Sequence, residues 1–162
     1  MQQHTISLMV SNKPGVLIRI SMVFSRRGYN LESLVVSPAH NPEFSRMTLV
    51  ATGHKKILEQ IIKQLNKLVD VIHANDHTAK NVIEKEMALI KVNCPVEVRT
   101  EVLQILEHFK CSTLDITETT LLLQVTGSSD KLNSLYKMLD GYGILESVRS
   151  GKLIMARGTE TT

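Results

Sequence analysis

The chain has 162 residues, of which 43% are hydrophobic and 22% charged, a balance typical of folded globular proteins that excludes intrinsic disorder. Its length suits one medium domain or two small ones. No stretch approaches the roughly 20 consecutive apolar residues that cross a bilayer, and the N-terminus lacks the basic and apolar regions of a secretory signal. We therefore expect no membrane association and a cytoplasmic location, or an organellar one if a transit peptide is missing.

Basic residues are concentrated in the first half of the chain. Residues 1–80 carry ten Lys or Arg against five Asp or Glu, and residues 81–162 carry nine against eleven. A basic half is compatible with nucleic acid or an acidic partner surface, and equally with a solvated basic face. Recognition folds for RNA stack bases on sheet aromatics, and the predicted strands offer only Phe44 for that role. We therefore expect no nucleic-acid partner.

The first half of the chain predicts the order β-α-β-β-α-β. Short apolar runs bounded by turn residues predict strands, and apolar residues at intervals of three and four predict helices. The predicted elements are a strand at Thr5–Val10, a helix beginning at Val16 and ending before Gly28, strands at Asn30–Ser37 and Phe44–Thr52, a helix with its apolar stripe from Ile57 to Leu68, and a strand at Val69–Ala74.

The second half predicts the same order again. Its elements are a strand at Met87–Val92, a helix whose first turn holds Pro95 and whose apolar face runs from Val98 to Phe109, strands at Cys111–Ile116 and Leu121–Val125, a helix capped near Ser128 with a stripe from Leu132 to Leu139, and strands at Leu145–Val148 and Leu153–Ala156. We therefore predict an α+β fold of two ferredoxin-like βαββαβ units with antiparallel sheets and helices on one face. The predicted domains are residues 1–77 and 85–162, joined by a linker at 78–84.

Each predicted sheet has one face without helices. That face must be covered, or the sheet edge must be paired with another strand. This requirement favours self-association, most simply a two-fold homodimer.

The loop between the first strand and the first helix is the most informative segment. The first turn of a helix has unpaired N–H groups and a partial positive charge, so it attracts carboxylates. The candidate donors are the N–H groups of Gly15, Val16 and Leu17, preceded by Lys13 and Pro14. Two nearby side-chain amides, of Asn12 and Asn30, both donate and accept hydrogen bonds. Donors and acceptors together suit an amino acid, although Asn-x-Pro-Gly is also an ordinary turn sequence.

This loop and four other segments resemble the ACT domain of acetohydroxyacid (acetolactate) synthase small subunits, from about residue 4 to residue 158. The segments are Asn12–Leu17, Phe24–Leu34 (FSRRGYNLESL), Ser45–Thr48, Gln64–Val71, and Arg149–Gly151 with Ala156–Gly158. The Phe24–Leu34 run is far more specific than the Pro-Gly turn.

The resemblance implies a regulatory subunit with no catalysis of its own. In the family, the N-terminal ACT domains pair side by side and bind valine or a similar branched-chain amino acid between them. The effector-binding residues would be Asn12, Lys13, Pro14, Gly15, Val16 and Leu17 of one subunit and Asn30 of the other. The partner would be the catalytic subunit, which holds thiamine diphosphate, magnesium and FAD, and no cofactor is expected in this chain. The small subunit would activate that partner and confer feedback inhibition in branched-chain amino-acid synthesis.

Three arginines are candidates for docking on the catalytic subunit, because they lie in the basic half of the chain. They are Arg26 and Arg27 at the end of the first helix and Arg46 on the third strand. Solvation at a helix end or on a strand surface explains each of them equally well. The loop of the second half, Asn93-Cys94-Pro95-Val96, lacks the glycine, so we place no effector there.

Other functional classes have weaker support. The chain has no P-loop, no G-x-S-x-G and no HExxH motif, and Asn12 with Arg19 fits the pattern of a small phosphate hydrolase poorly. The set of His73, Asp76 and His77 is the only metal candidate, and a polar strand end explains it better. The alternative function is a stand-alone ACT-type amino-acid sensor that regulates a different enzyme. The FSRRGYN run and the second ACT-like half favour the synthase subunit.

Overall fold

The computed structural model describes residues 2–78 and 81–162. The first half has the predicted elements in the predicted order: β1 (Gln2–Ser11), α1 (Val16–Ser25), β2 (Asn30–Pro38), β3 (Phe44–Gly53), α2 (Lys55–Leu65) and β4 (Val71–Asp76). The strands form an antiparallel sheet in the order β2-β3-β1-β4. This is the strand order of a ferredoxin-like unit.

One face of this sheet carries the core of the first half. Alternate residues of β1, namely Ile6, Leu8 and Val10, pack in one buried cluster with Ile20 of α1 and Leu58 of α2. The strand period of two and the helix period of 3.6 bring these apolar positions together. The same alternation directs the intervening β1 side chains to the opposite face of the sheet.

The second half confirms the predicted repeat. Its elements are β5 (Val82–Asn93), a 3-10 turn at Val96–Val98, α3 (Arg99–His108), β6 (Ser112–Ile116), β7 (Thr120–Gly127), α4 (Ser129–Asp140), β8 (Ile144–Arg149) and β9 (Leu153–Ala156). The sheet order is β6-β7-β5-β8, and β9 also pairs with β5. Ser128 caps α4 by accepting the Lys131 N–H at 3.3 Å, as the sequence predicts. Among the described residues, no helix combines the length and apolar character that crossing a membrane requires.

The compact units differ from the predicted domain boundaries. The first unit comprises Met1–Ile83 together with Gly151–Thr162, and the second comprises Glu84–Ser150. The prediction places 151–162 in the second domain, whereas the structure groups this segment with the first unit, where Thr162 O accepts from His73 Nε2 at 3.1 Å. β5 begins at Val82, inside the predicted 78–84 linker. Residues 79 and 80 of that linker lie outside the described residues.

The 151–162 segment lies over the helix-free face of the first sheet. A β-carbon built on Gly151 would lie 3.0 Å from a methyl of Val35. The main-chain O of Thr162 accepts from His73 Nε2 at 3.1 Å. On this face Val50 is buried although it lies outside the helix-side cluster. The chain therefore covers part of this face itself, and an open sheet face no longer argues for a dimer of the first unit.

Candidate functional site

The predicted effector loop is a type II turn that leads into α1. Lys13 and Val16 close the turn, with Val16 N donating to Lys13 O at 3.4 Å. Pro14 occupies the second position, where its fixed φ is favourable, and Gly15 occupies the third with φ 82° and ψ −9°. A side chain at that position would be strained, because positive φ brings a β-carbon against the backbone. The Pro-Gly pair therefore sets the path of the chain into the helix.

Two of the three predicted carboxylate donors remain available. The N–H of Val16 donates to Lys13 O within the turn and is therefore less available to a carboxylate. Within the described part of the chain, the N–H groups of Gly15 and Leu17 have no hydrogen-bond partner. Gly15 immediately precedes the ten-residue helix α1 and Leu17 lies in its first turn, at the positive end of the helix dipole. The loop thus offers two main-chain donors to an anion.

Asn12 joins the loop to the hairpin between β2 and β3. Its side-chain Nδ2 donates to Pro42 O at 2.9 Å, and its main-chain N donates to Glu43 O at 2.8 Å. These bonds leave the side-chain carbonyl of Asn12 as an acceptor. An acceptor beside two donors matches the ammonium and carboxylate groups of an amino acid.

Arg19 and Asp70 also lie at this loop, although the sequence-based prediction does not include them. Arg19 Nε and Nη2 donate to Asp70 Oδ2 at 3.0 and 2.6 Å. A β-carbon built on Gly15 would lie 3.1 Å from Arg19 Nη1. Helical side chains lean toward the N-terminus, so a residue four positions after Gly15 is a neighbour that the spacing alone indicates.

Asn30 lies at the opposite end of the sheet from Asn12 in the same chain. Asn30 pairs with Thr52 of β3, whereas Ser11, next to Asn12, pairs with Phe44. The two β3 positions are eight residues apart, about 26 Å along a strand. The Asn30 side chain donates to Glu32 Oε1 at 3.2 Å and is exposed. Within one chain, therefore, Asn30 lies far from the other predicted effector residues, which are together in the Asn12–Leu17 loop.

The three predicted docking arginines lie at two different ends of the first sheet. Arg26 caps α1 and is exposed, and Arg27 follows it at the Asn30 end of the sheet. Arg46 lies near the other end of β3, where Nη1 is 3.5 Å from Thr162 O. It lines a groove of about 600 Å³ with an apolar floor. Arg46 therefore lies at the opposite end of the sheet from Arg26 and Arg27.

Tyr29 explains why the FSRRGYN run has a fixed geometry. Its side chain is buried and its hydroxyl donates to His54 O at 2.5 Å. The ring lies where a β-carbon of Gly53 would be, at only 2.1 Å. Gly28, with φ 66°, provides the left-handed turn that ends α1. These contacts fix the position at which Asn30 begins β2.

The corresponding loop of the second unit is closed by internal bonds. Pro95 has φ −63°, followed by a 3-10 turn with no left-handed residue. Arg99 Nη2 donates to three main-chain carbonyls, of Cys94 at 3.3 Å, Thr117 at 2.7 Å and Glu118 at 2.8 Å. Cys94 N donates to Thr119 O at 2.7 Å. The arginine here binds protein carbonyls, which supports the prediction that this loop takes no effector.

The remaining candidates have structural partners. His73 bonds Thr162, Asp76 accepts the Thr78 N–H at 2.8 Å, and His77 Nε2 lies 2.8 Å from Ser7 Oγ. The described residues contain no group of three side chains placed to bind a metal. Both cysteines are unpaired, and burial raises the pKa of the Cys111 thiol above its ordinary value. A raised pKa disfavours the reactive thiolate.

Comparison with known proteins assigns both halves of the chain. Residues 6–73 match a family described as the AHAS small subunit-like ACT domain, and residues 85–158 match the small subunit of acetolactate synthase. A probable acetolactate synthase small subunit from Archaeoglobus fulgidus is 41% identical over 158 residues, covering 98% of this chain and 99% of that protein. The acetolactate synthase small subunit of Mycolicibacterium smegmatis is 40% identical over 155 residues, covering 96% and 91%.

A solved structure extends the likeness to the whole fold. The acetolactate synthase small subunit of Thermotoga maritima superposes with a TM-score of 0.88 at 33% identity, covering 99% of this chain and 100% of that one. Sequence and fold therefore agree over nearly the full length. The chain belongs to the family of acetolactate synthase small subunits.

Proposed function

We propose that this chain activates the acetolactate synthase catalytic subunit and makes it sensitive to a branched-chain amino acid, with valine as the expected effector. The effector site lies between two copies of the first unit. The observation that carries this proposal is the separation of Asn12 and Asn30 at opposite ends of one sheet. A site containing both residues requires a second copy.

Two-fold pairing along β2 brings the two half-sites together. β2 is an edge strand of the first sheet, and exposed edges invite pairing with another strand. In antiparallel pairing of β2 with its copy, Asn30 of one copy lies beside the Pro38 end of the other. Pro38 pairs with Ser45 of β3, next to the Phe44 position that pairs with Ser11. The Asn30 amide of one copy thus approaches the Asn12 loop of the other.

The exposed side of α1 supports the same interface. α1 contacts β2, so it lies near the sheet edge that would pair. Its apolar residues Leu17, Ile18 and Met22 are 42%, 65% and 43% exposed in the single chain. Pairing of two such helices would remove this apolar surface from water.

The chemistry of the combined site suits an aliphatic amino acid. The N–H groups of Gly15 and Leu17 would bind the carboxylate at the positive end of α1. The carbonyl of Asn12 and the amide of the second copy's Asn30 would accept from the ammonium group. The Leu17 side chain would contact the aliphatic part of the effector. Valine, leucine and isoleucine share these features. One methylene group in an apolar pocket changes the binding free energy by only about 1–3 kcal/mol.

The cofactors of the reaction belong to the catalytic subunit in this proposal. Thiamine diphosphate, magnesium and FAD would be held there, and this chain would act through binding. The basic surface of the first unit, including Arg26 and Arg27, would contact that partner. Arg46 would take part through the opposite end of the sheet.

Reconstitution with the catalytic subunit tests the proposal. Acetolactate formation is measured with and without this chain, and then with increasing valine. We expect a higher rate with the chain, and valine inhibition that Gly15→Asp abolishes without loss of activation. The matched control is Gly158→Asp, since Gly158 also has positive φ (63°) but has open space around it. An unchanged rate on adding the chain would refute the role as an activator, and undiminished inhibition with Gly15→Asp would refute the placement of the site.

A further inference from the structure

Arg19 is held beside the effector loop, and Asp70 engages two of its five N–H donors. A guanidinium has five N–H donors arranged along two edges. Asp70 Oδ2 accepts from Nε and from Nη2, which together form one edge. The other edge, formed by Nη1 with the second Nη2 hydrogen, is not engaged by Asp70. The Arg19 side chain is 49% exposed, so this edge is accessible to a ligand.

The free edge lies beside Gly15, in the loop that offers the main-chain donors. Nη1 lies 3.1 Å from where a β-carbon of Gly15 would stand. The Arg19 main-chain N donates to Gly15 O at 3.2 Å, so the backbone from which this side chain projects is tied to the turn. Asp70 is itself fixed by the sheet, because its main-chain O accepts the Ser11 N–H at 2.8 Å. The guanidinium is therefore held in place before any ligand arrives.

We infer that Arg19 binds the carboxylate of the effector and that Asp70 positions it. This inference rests on the proposed function. It adds a positively charged side chain to a site that otherwise offers only the N–H groups of Gly15 and Leu17 to the carboxylate. Arginine can join two carboxylates, one at each edge, and such charge-assisted bonds are stronger than neutral ones. In the second unit, by contrast, the arginine at the corresponding loop, Arg99, donates to three main-chain carbonyls of the protein itself.

The inference distinguishes Arg19 from a purely structural ion pair. If the guanidinium contacts the effector carboxylate, removing it should weaken the binding of a ligand that has a carboxylate, but not of the same ligand with an amide in its place. If Arg19 only ties α1 to the turn before β4, its loss affects both ligands equally. A cycle in which protein and ligand are both altered isolates this contact.

The experiment measures the dissociation constants of valine and valinamide for the full chain by chemical-shift titration, which reaches the millimolar range. Arg19→Gln should weaken valine binding about tenfold or more, and should change valinamide binding by less than about twofold. Arg19→Lys keeps the charge and should recover part of the valine affinity. Lys63→Gln, which removes an exposed charge from α2, is the control and should change neither constant.

The outcomes separate the inference from the function on which it rests. Equal losses for valine and valinamide, or no loss for valine, would overturn the role of Arg19 and leave the effector site standing. Absence of valine binding to the unaltered chain would overturn the proposed effector itself, and with it the inference. Loss confined to valine, partly recovered by Arg19→Lys, would establish both.

Discussion

Two glycines of the first unit are required for different physical reasons. Gly15 has φ 82°, a conformation that the Pro-Gly turn sequence predicts. Gly53 is needed because the Tyr29 ring fills the space of its β-carbon. No local pattern indicates this, since the two residues lie 24 positions apart and meet only through the pairing of β2 with β3. The sequence therefore predicts a glycine that its own backbone conformation requires, but not a glycine that a distant side chain requires.

Gly53→Ala should destabilise the first unit. The added methyl would overlap the Tyr29 ring, and forcing atoms into a packed core costs about 1–3 kcal/mol. Gly141→Ala is the matched control, because Gly141 has φ −63° and nothing within 4 Å. Urea unfolding of both variants measures the difference. Equal free energies of unfolding for Gly53→Ala and the unaltered chain would contradict the Tyr29 contact.

A buried carboxylate makes the second unit sensitive to one arginine. Glu86 is 5% exposed and accepts from Arg149 Nε at 3.0 Å and Nη2 at 2.5 Å, as well as from Ser129. Arg149→Met should lower the free energy of unfolding by about 3 kcal/mol, since it leaves a buried charge unpaired. Lys91→Met, which breaks the exposed pair with Glu146, should cost less than about 1 kcal/mol. Chemical denaturation at neutral pH measures the free energy of unfolding of both variants. Equal losses in the two variants would show that the Glu86 carboxylate does not depend on Arg149.

The strand and helix periods predict most elements of both units, because each element has one apolar face and a buried core selects that periodicity. The prediction is less complete for the loops. Local spacing predicts the Gly15 turn but not the Arg19–Asp70 pair, whose members are 51 positions apart. Nor does the spacing show that the Val16 N–H donates within the turn. Local spacing specifies a turn, whereas the groups available to a ligand depend on contacts made after folding.

The exposed stripe on α1 gives a prediction at the scale of elements. Ile18→Glu should leave the fold intact, because the side chain is 65% exposed in the single chain, and should weaken the proposed dimer by placing a charge in its apolar interface. Val96→Glu is a control with 66% exposure in the second unit. Sedimentation velocity over a concentration series measures the monomer–dimer equilibrium. A dimer unaffected by Ile18→Glu would remove α1 from the interface.

At the scale of the whole molecule, the path of the 151–162 segment could not be predicted. The pattern at Leu153–Ala156 indicates a strand but not the sheet to which it belongs. A strand of four residues carries too few positions to specify its partner. The structure places it with the first unit, where Thr162 contacts Arg46 and His73. The edge strand β2 and the exposed apolar side of α1, and not the sheet face, therefore support the proposed dimer.

The central claim is that each effector site takes its loop from one copy and Asn30 from another. The most direct test is calorimetric titration of valine into an equal mixture of Gly15→Asp and Asn30→Ala chains, refolded or exchanged together. Each variant alone should lack native-affinity sites. In the mixture, half of the dimers contain both variants, and each of these has one intact site, so about a quarter of the wild-type binding capacity should return. A mixture that binds no more valine than the separate variants would show that the site lies within one chain, and would contradict the claim.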